Sequence, residues 1–470
     1  VSLRRLCLAA ATVAACLIPA ATATAAEPGV VLGGSQFDDA RSLDAIHRSG
    51  VGWIRVYAYR NELEPRPGVL NARLVDSYAQ SVRRHLWEGV RTEIVLVGTP
   101  AWESGSSDPL AAPDPAGFAR FAQQFARAVP DVGAWEIWQE ADAEKWWPAG
   151  PNPAAYTALL QATYPALHAV SDAPVILGGL TGNDYAFLEQ LYAAGAKGAF
   201  DAVSVHTDTA CGIASPYDYY RAPDGRVSQY AFLGYQEVLK SMAAAGDGDK
   251  KLWMTEMGWS SSGAACDQGV WAGQKPGGVS EDTQAQFLRQ AWHCVAADPR
   301  VAGVFWFNLV DLGADDAPDH RFGLLRHDGS EKPAFAALAD IAAGNDRLAD
   351  ACGDFTGPAI QVLRLGDKGK SGRYARFLRV KVAAADPQSV ARITLFLNGR
   401  KVGVFGSKGP IMVGDRTLPQ AAALKAGRGT LTIQARDANG NDTTQDFAIT
   451  KVAPGKKHKA RARAKARRHR

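Results

Sequence analysis

At 470 residues the chain is long enough for one large domain and a small one, and no run of eighteen consecutive apolar residues argues for a membrane-spanning helix. The formal net charge of +4 misleads, because residues 455–470, GKKHKARARAKARRHR, hold nine Lys/Arg and no acid. Without them and the two arginines near the start the body is net acidic, and nothing else in it suggests specific nucleic-acid recognition.

Arg4 and Arg5 precede an apolar stretch from Leu6 to about Pro19, and ATATAA at 21–26 offers small residues for cleavage. This pattern predicts a secretory signal peptide over residues 1–26 and an extracellular protein, with attachment to the cell surface open. Of six cysteines, Cys7 and Cys16 leave with the signal, and Cys211, Cys266, Cys294 and Cys352 remain. An even number in an exported chain predicts two disulfides; three pairings are open, of which Cys211–Cys266 and Cys294–Cys352 would each tie neighbouring parts of the fold. Wide spacings and the lack of a histidine cluster argue against a metal site built on these cysteines.

From Gly29 onward short β-prone runs alternate with helical ones. Strands are expected at 30–34, 53–57, 92–98, 134–138, 174–179, 202–206, 252–256 and 302–308, each nearly all apolar, as a parallel strand covered on both faces must be. Helices are expected at 71–88, 115–129, 152–169, 184–195, 227–244, 280–297 and 331–343, where apolar residues recur at three- and four-residue steps. Eight strand–helix units predict an α/β fold, a closed (β/α)8 TIM barrel over 27–350. VLGGSQF after the first strand lacks the glycine spacing of a dinucleotide-binding sheet.

Beyond Asp350, strands are expected near 359–364, 374–383, 391–397, 400–405, 429–436 and 444–451, with Asn398-Gly399 and Asn439-Gly440 as turns. They predict a small all-β immunoglobulin-like sandwich over 355–453, then a basic disordered tail over 454–470. All twelve tryptophans lie between Trp53 and Trp306. The sandwich therefore reads as a structural or spacer module, with Tyr374 and Phe405 the aromatics left for a sugar. An anionic cell-envelope polymer is one candidate partner for the tail.

Catalytic groups of such barrels sit where strands end at the C-terminal face. Glu140 follows the fourth strand in AWEIWQEAD, and Glu256 closes the seventh in LWMTEMGWSS. Glycoside cleavage needs one carboxyl to protonate the leaving oxygen and another to attack the sugar, with no metal or organic cofactor. Trp138, Trp146, Trp147 and Trp259 lie near these glutamates in sequence, where they could exclude water and stack on pyranose faces. Glu136 lies within the strand, where it could orient a neighbour.

WEIWQEAD resembles the W-E-I-W-N-E-P motif, and WMTEMGWS the T-E-x-G-W motif, of retaining glycoside hydrolases with this barrel, closest to family 39 and next to family 5. The similarity covers most of residues 30–343, but neither the sandwich nor the tail. It implies a retaining β-glycoside hydrolase acting on a polysaccharide or oligosaccharide, with Glu140 as acid/base and Glu256 as nucleophile. It also implies that Arg55 keeps Glu256 ionised, that His206 helps hold the site, and that Trp306 floors the sugar subsite. Two departures stand out: Gln139 replaces the Asn that commonly binds the 2-hydroxyl, and Asp208 replaces a Tyr directed at the nucleophile. Tyr217, Tyr219 and Tyr220 are candidates for the missing hydroxyl. A catalytically silent glycan-binding barrel and a structural cell-surface protein are the alternatives.

Overall fold

The computed structural model describes residues 26–207, 211–296, 298–346, 352–353, 355–387, 389–406 and 409–453. Nearly all of the expected signal, the basic tail and Asp208 lie outside the described residues. Eight short strands run through the first part: β1 (Glu27–Val31), β2 (Trp53–Tyr59), β3 (Arg91–Val97), β4 (Ala134–Ile137), β5 (Val175–Thr181), β6 (Ala202–His206), β7 (Lys251–Met257) and β8 (Val301–Trp306). They pair in parallel in chain order, and β8 returns to β1 to close an eight-stranded barrel.

Both faces of these strands are covered, which is why their sequences are almost continuously apolar. Val31, Trp53, Ala134, Ile176, Ala202, Trp253 and Phe305 pack together inside the barrel. Intervening residues such as Ile54, Ile94, Trp135 and Val304 join the helices in the larger core. Helices Ala72–Trp87, Pro115–Ala128, Pro153–His168, Tyr185–Ala193, Glu281–Ala296 and Pro333–Ala342 lie close to the expected spans. Asp114 and Asn152 cap two of them by accepting from the amides of Gly117 and Ala155, each ahead of a proline at the first helical position.

The helix expected from 227 begins only at Tyr235. Val227 instead bridges to Arg221, and its amide donates to the Glu237 carboxylate, so 227–231 belong to a long loop after β6. β1 starts at Glu27, three residues before the expected position.

The second part forms an all-β region: β9 (Ala359–Leu365), β10 (Arg373–Tyr374), β11 (Leu378–Ala385), β12 (Val390–Leu397), β13 (Arg400–Gly406), β14 (Ile411–Leu418), β15 (Gly427–Asp437) and β16 (Asp442–Lys451). One sheet has the order β10-β16-β15-β12-β13 and the other β14-β11-β9. Val380 and Val382 of the smaller sheet share an apolar cluster with Ile393, Leu395 and Ile433 of the larger. Tyr374 is buried in that cluster and is not presented to a ligand. Disulfides join Cys211 to Cys266 and Cys294 to Cys352. Among the described residues no helix is long and apolar enough to cross a membrane.

Candidate active site

The centre is built on Arg55 of β2, fully buried inside the barrel. A buried guanidinium is tolerable only when counter-charges and acceptors use its N–H groups. Its Nε donates to Glu136 Oε2 at 2.8 Å and its Nη1 to Glu256 Oε1 at 2.7 Å. Nη2 reaches Glu136 Oε1 at 3.1 Å and Gln139 Oε1 at 3.0 Å. Tyr57, two residues on and hence on the same face of β2, donates its hydroxyl to Glu256 Oε1 at 2.5 Å.

Beyond Ile137 the chain turns sharply, with Trp138 at φ 64° and Glu140 at φ 43°, a left-handed backbone unusual for residues other than glycine. Two amide bonds hold it: Trp138 N–H to the Leu96 carbonyl at 2.8 Å and Glu140 N–H to the Gly179 carbonyl at 2.9 Å. Glu140 Oε1 then meets His206 Nδ1 at 2.7 Å, while His206 Nε2 lies 3.8 Å from Glu256 Oε1. One carboxylate oxygen of Glu140 and one of Glu256 lie within 4.8 Å of each other, with His206 between them. Gly179 makes room for that imidazole: a Cβ there would stand 1.9 Å from His206 Nε2.

Charge sets the protonation states. Burial alone would depress the His206 pKa, but Glu256 and Glu140 outweigh it and raise the value to about 9. Burial would raise the Glu256 pKa, yet His206, Arg55 and the Tyr57 hydroxyl bring it below the ordinary carboxylate value. Glu93 of β3, also fully buried, goes the other way: burial and the neighbouring Glu136 charge hold it well above the usual range and therefore neutral. Arg55 holds the neighbouring Glu136 below the ordinary carboxylate value and ionised. The core thus carries Arg55 and His206 as cations facing Glu136 and Glu256 as anions.

Glu140, His206 and Glu256 are also the one group among the described residues whose ligand atoms converge as a metal site would require. The guanidinium on Glu256 and the imidazolium on Glu140 already occupy these oxygens, which does not favour a cation.

Arg55, Gln139, His206, Glu140 and Glu256 are therefore brought together. The tryptophans are not. Trp306 has no solvent exposure and donates to the Phe322 carbonyl in the layer between strands and helices. Its neighbours Phe305 and Phe307 pack with the barrel interior, the face that Trp306 does not share. Trp138 and Trp147 are likewise buried against each other and against Phe118 and Tyr156. Trp146 is the tryptophan that stacks on Tyr57, ring centroids 6.2 Å apart and nearly coplanar. Trp259 is buried and donates to the Ala214 carbonyl beside a pocket in the loops after β6 and β7. The hydroxyl sought among Tyr217, Tyr219 and Tyr220 is supplied by Tyr57, and Tyr219 donates to Asn441 instead. Tyr57 and Glu93 were missed, although each shares an inward strand face with its neighbours.

No family model matches the sequence, and no curated protein matches it. Solved structures match its fold. A family 39 glycoside hydrolase from Bacteroides cellulosilyticus WH2 is 20% identical with a TM-score of 0.53, covering 83% of this chain and 78% of that one. The GH39 enzyme from Xanthomonas axonopodis pv. citri is 16% identical with a TM-score of 0.52, covering 91% and 94%. A monomeric beta-xylosidase from Caulobacter crescentus CB15 is 15% identical with a TM-score of 0.50, covering 84% and 94%. The chain folds as a (β/α)8 barrel closely resembling those of family 39 glycosidases.

Proposed function

We propose that this protein is a secreted retaining β-glycoside hydrolase in which Glu256 is the nucleophile and Glu140 the acid/base. The observation that carries the reading is the pair itself: two carboxylates at the ends of β4 and β7, with oxygens within 4.8 Å across His206. That spacing suits double displacement, for which the two carboxyl groups stand roughly 5–5.5 Å apart, rather than inversion at roughly 6.5–9.5 Å.

Arg55 and Tyr57 both hold Glu256 Oε1, which leaves Oε2 to attack the anomeric carbon. The flanking cations keep Glu256 ionised for that step. Glu140, anchored through Oε1 to His206, presents its other oxygen to the departing glycosidic oxygen and gives it a proton. The emptied carboxylate then takes a proton from water, which attacks the glycosyl–Glu256 ester and releases a sugar of unchanged anomeric configuration. Gln139, pinned through Oε1 to Arg55, turns its amide nitrogen to the sugar hydroxyl next to the reacting carbon. The small β region is read as an immunoglobulin-like sandwich on its two sheets and shared core, and the basic run at 455–470 as a contact for an anionic envelope polymer.

The test is a panel of polysaccharides and aryl β-glycosides, β-xylosides included because one structural neighbour is a beta-xylosidase. Wild type is run beside Glu256→Gln, and the first-formed anomer is read by NMR. Expected are hydrolysis lost in the variant and a β product. Inversion, or activity that survives the substitution, refutes the assignment.

A further inference from the structure

Described residues that follow β6, from Thr207 to Phe232, line a pocket together with Trp259, which follows β7. Thr207 lines it one residue beyond His206 and donates its amide to the Glu256 carbonyl at 2.7 Å; Trp259 lines it three residues beyond Glu256. Both segments leave the C-terminal ends of their strands, the end of the barrel at which Glu140 and Glu256 stand. Its walls are Trp259, Phe232, Tyr220 and Tyr230, with the Asp218 carboxylate among them. Tyr220 and Tyr230 are 56% and 60% exposed, unusual for two aromatic rings sharing one pocket. Flat apolar faces beside hydroxyl and carboxylate groups are what a pyranose ring, apolar above and hydroxylated at its edge, requires.

The loop does not hold this shape alone. The Cys211–Cys266 disulfide fixes one end. Tyr219 then reaches the C-terminal β region, donating its hydroxyl to Asn441 Oδ1 at 2.9 Å and stacking on Phe355 with centroids 5.0 Å apart. Arg221 donates to the same oxygen at 2.6 Å. Asn441 is itself buried and clamped to Asp437, through its amide N–H and its side-chain nitrogen at 2.7 Å each. The turn between β15 and β16 therefore grips the segment that carries Tyr219 and Tyr220.

We propose that this pocket is a second saccharide subsite, binding a sugar unit of the substrate beyond the one at Glu140 and Glu256, and that the C-terminal β region positions its wall. The proposal rests on the hydrolase reading for the direction in which the substrate lies. It makes the substrate an oligosaccharide or polysaccharide chain, and it makes Tyr219 and Asn441 positioning residues for specificity.

The test is calorimetric binding of β-linked tetrasaccharides of glucose, xylose and mannose, and of the matching methyl monosaccharides, to the full-length Glu256→Gln protein. At least one tetrasaccharide should bind more tightly than its monosaccharide. Tyr220→Ala and Tyr230→Ala, at exposed positions where folding is not at stake, should each weaken that binding by about tenfold and leave the monosaccharide unaffected. Tyr219→Phe, which keeps the ring on Phe355, should weaken it in the same direction without lowering the melting temperature by more than a few degrees. In the otherwise wild-type enzyme the same changes should raise KM for the tetrasaccharide and spare kcat for an aryl monoglycoside. No tetrasaccharide binding, or binding indifferent to Tyr220→Ala and Tyr230→Ala, overturns the proposal even if Glu256-dependent hydrolysis is found. Length-dependent binding lost in those variants, with no Glu256-dependent hydrolysis, upholds the subsite and refutes the hydrolase reading.

Discussion

In the proposed mechanism Tyr57 and His206 both bear on Glu256 Oε1, and each gives a distinct pH signature. Tyr57→Phe removes a hydrogen bond to a charged oxygen, worth about 1.5–3 kcal/mol, and leaves Arg55 in place. The expected result is kcat/KM down by roughly 10- to 100-fold, with the acidic limb of its pH profile moved to higher pH because Glu256 is less well held as an anion. An unmoved limb would count against this role. His206 bears on stability. Its folded pKa of about 9 lies above the ordinary 6.5, so its contribution is complete below the unfolded value and is lost as pH rises through 9. The shift corresponds to roughly 3 kcal/mol, read as a lower urea midpoint at alkaline pH, and His206→Gln should flatten that slope. Strand-end position made Glu140 and Glu256 legible in the sequence. Tyr57 was not singled out, and the face on which Trp306 stands was not readable, because an almost wholly apolar parallel strand carries no alternation to say which face looks inward. Arg55 fixes that face for β2, and period two from it marks Tyr57, a signal available but unused.

At the scale of elements, β5 shows how a strand makes room for chemistry. Gly178 and Gly179 let β5 pass close to the strained end of β4: the Gly179 amide donates to Glu136 Oε1 at 2.8 Å, and its carbonyl accepts from Glu140. Gly179→Ala would drive a methyl group into His206, so the imidazole must swing away from both carboxylates. Overpacking of this kind costs about 1–3 kcal/mol, and here activity should fall far more than stability does. Denaturant midpoints and kcat measured on the same preparation separate the two; a fully active Gly179→Ala enzyme would show that His206 need not sit where it does. Strand existence was readable throughout the barrel because each run is short and apolar and all but the first is followed by an expected helical period; the helix Ala40–Ser49 between β1 and β2 was not anticipated. β14 was not readable: Gly414 and Arg416 break its pattern, and Gly414 is tolerated there because the Phe405 ring lies over it. The helix anticipated from 227 was cut short by tertiary contacts, the bridge to Arg221 and the capture of the Val227 amide by Glu237.

At the scale of the whole molecule, a covalent tie pins the stretch leading to the β region onto the barrel, and the grip on Tyr219 joins the β region to it. Cys294, on the helix Glu281–Ala296, pairs with Cys352 in the stretch that leads from the barrel toward β9. The two are 58 residues apart in sequence, and closing a loop of that length restricts the unfolded chain by an amount worth about 4 kcal/mol in the chain-entropy account. Replacing both cysteines by serine should therefore lower the guanidinium midpoint substantially. Neither Glu140 nor Glu256, the carboxylates of the proposed mechanism, has a hydrogen bond to Cys294 or Cys352, so kcat on a short aryl glycoside at low temperature should stay within about twofold of wild type. Cys294 is buried against the barrel core, so part of the loss reflects packing. Reduction of a Cys211→Ser/Cys266→Ser variant, in which Cys294–Cys352 is the remaining disulfide among the described residues and both its sulfurs are retained, isolates the closure effect. If reduction leaves the midpoint where it was, the tie contributes nothing to folding stability.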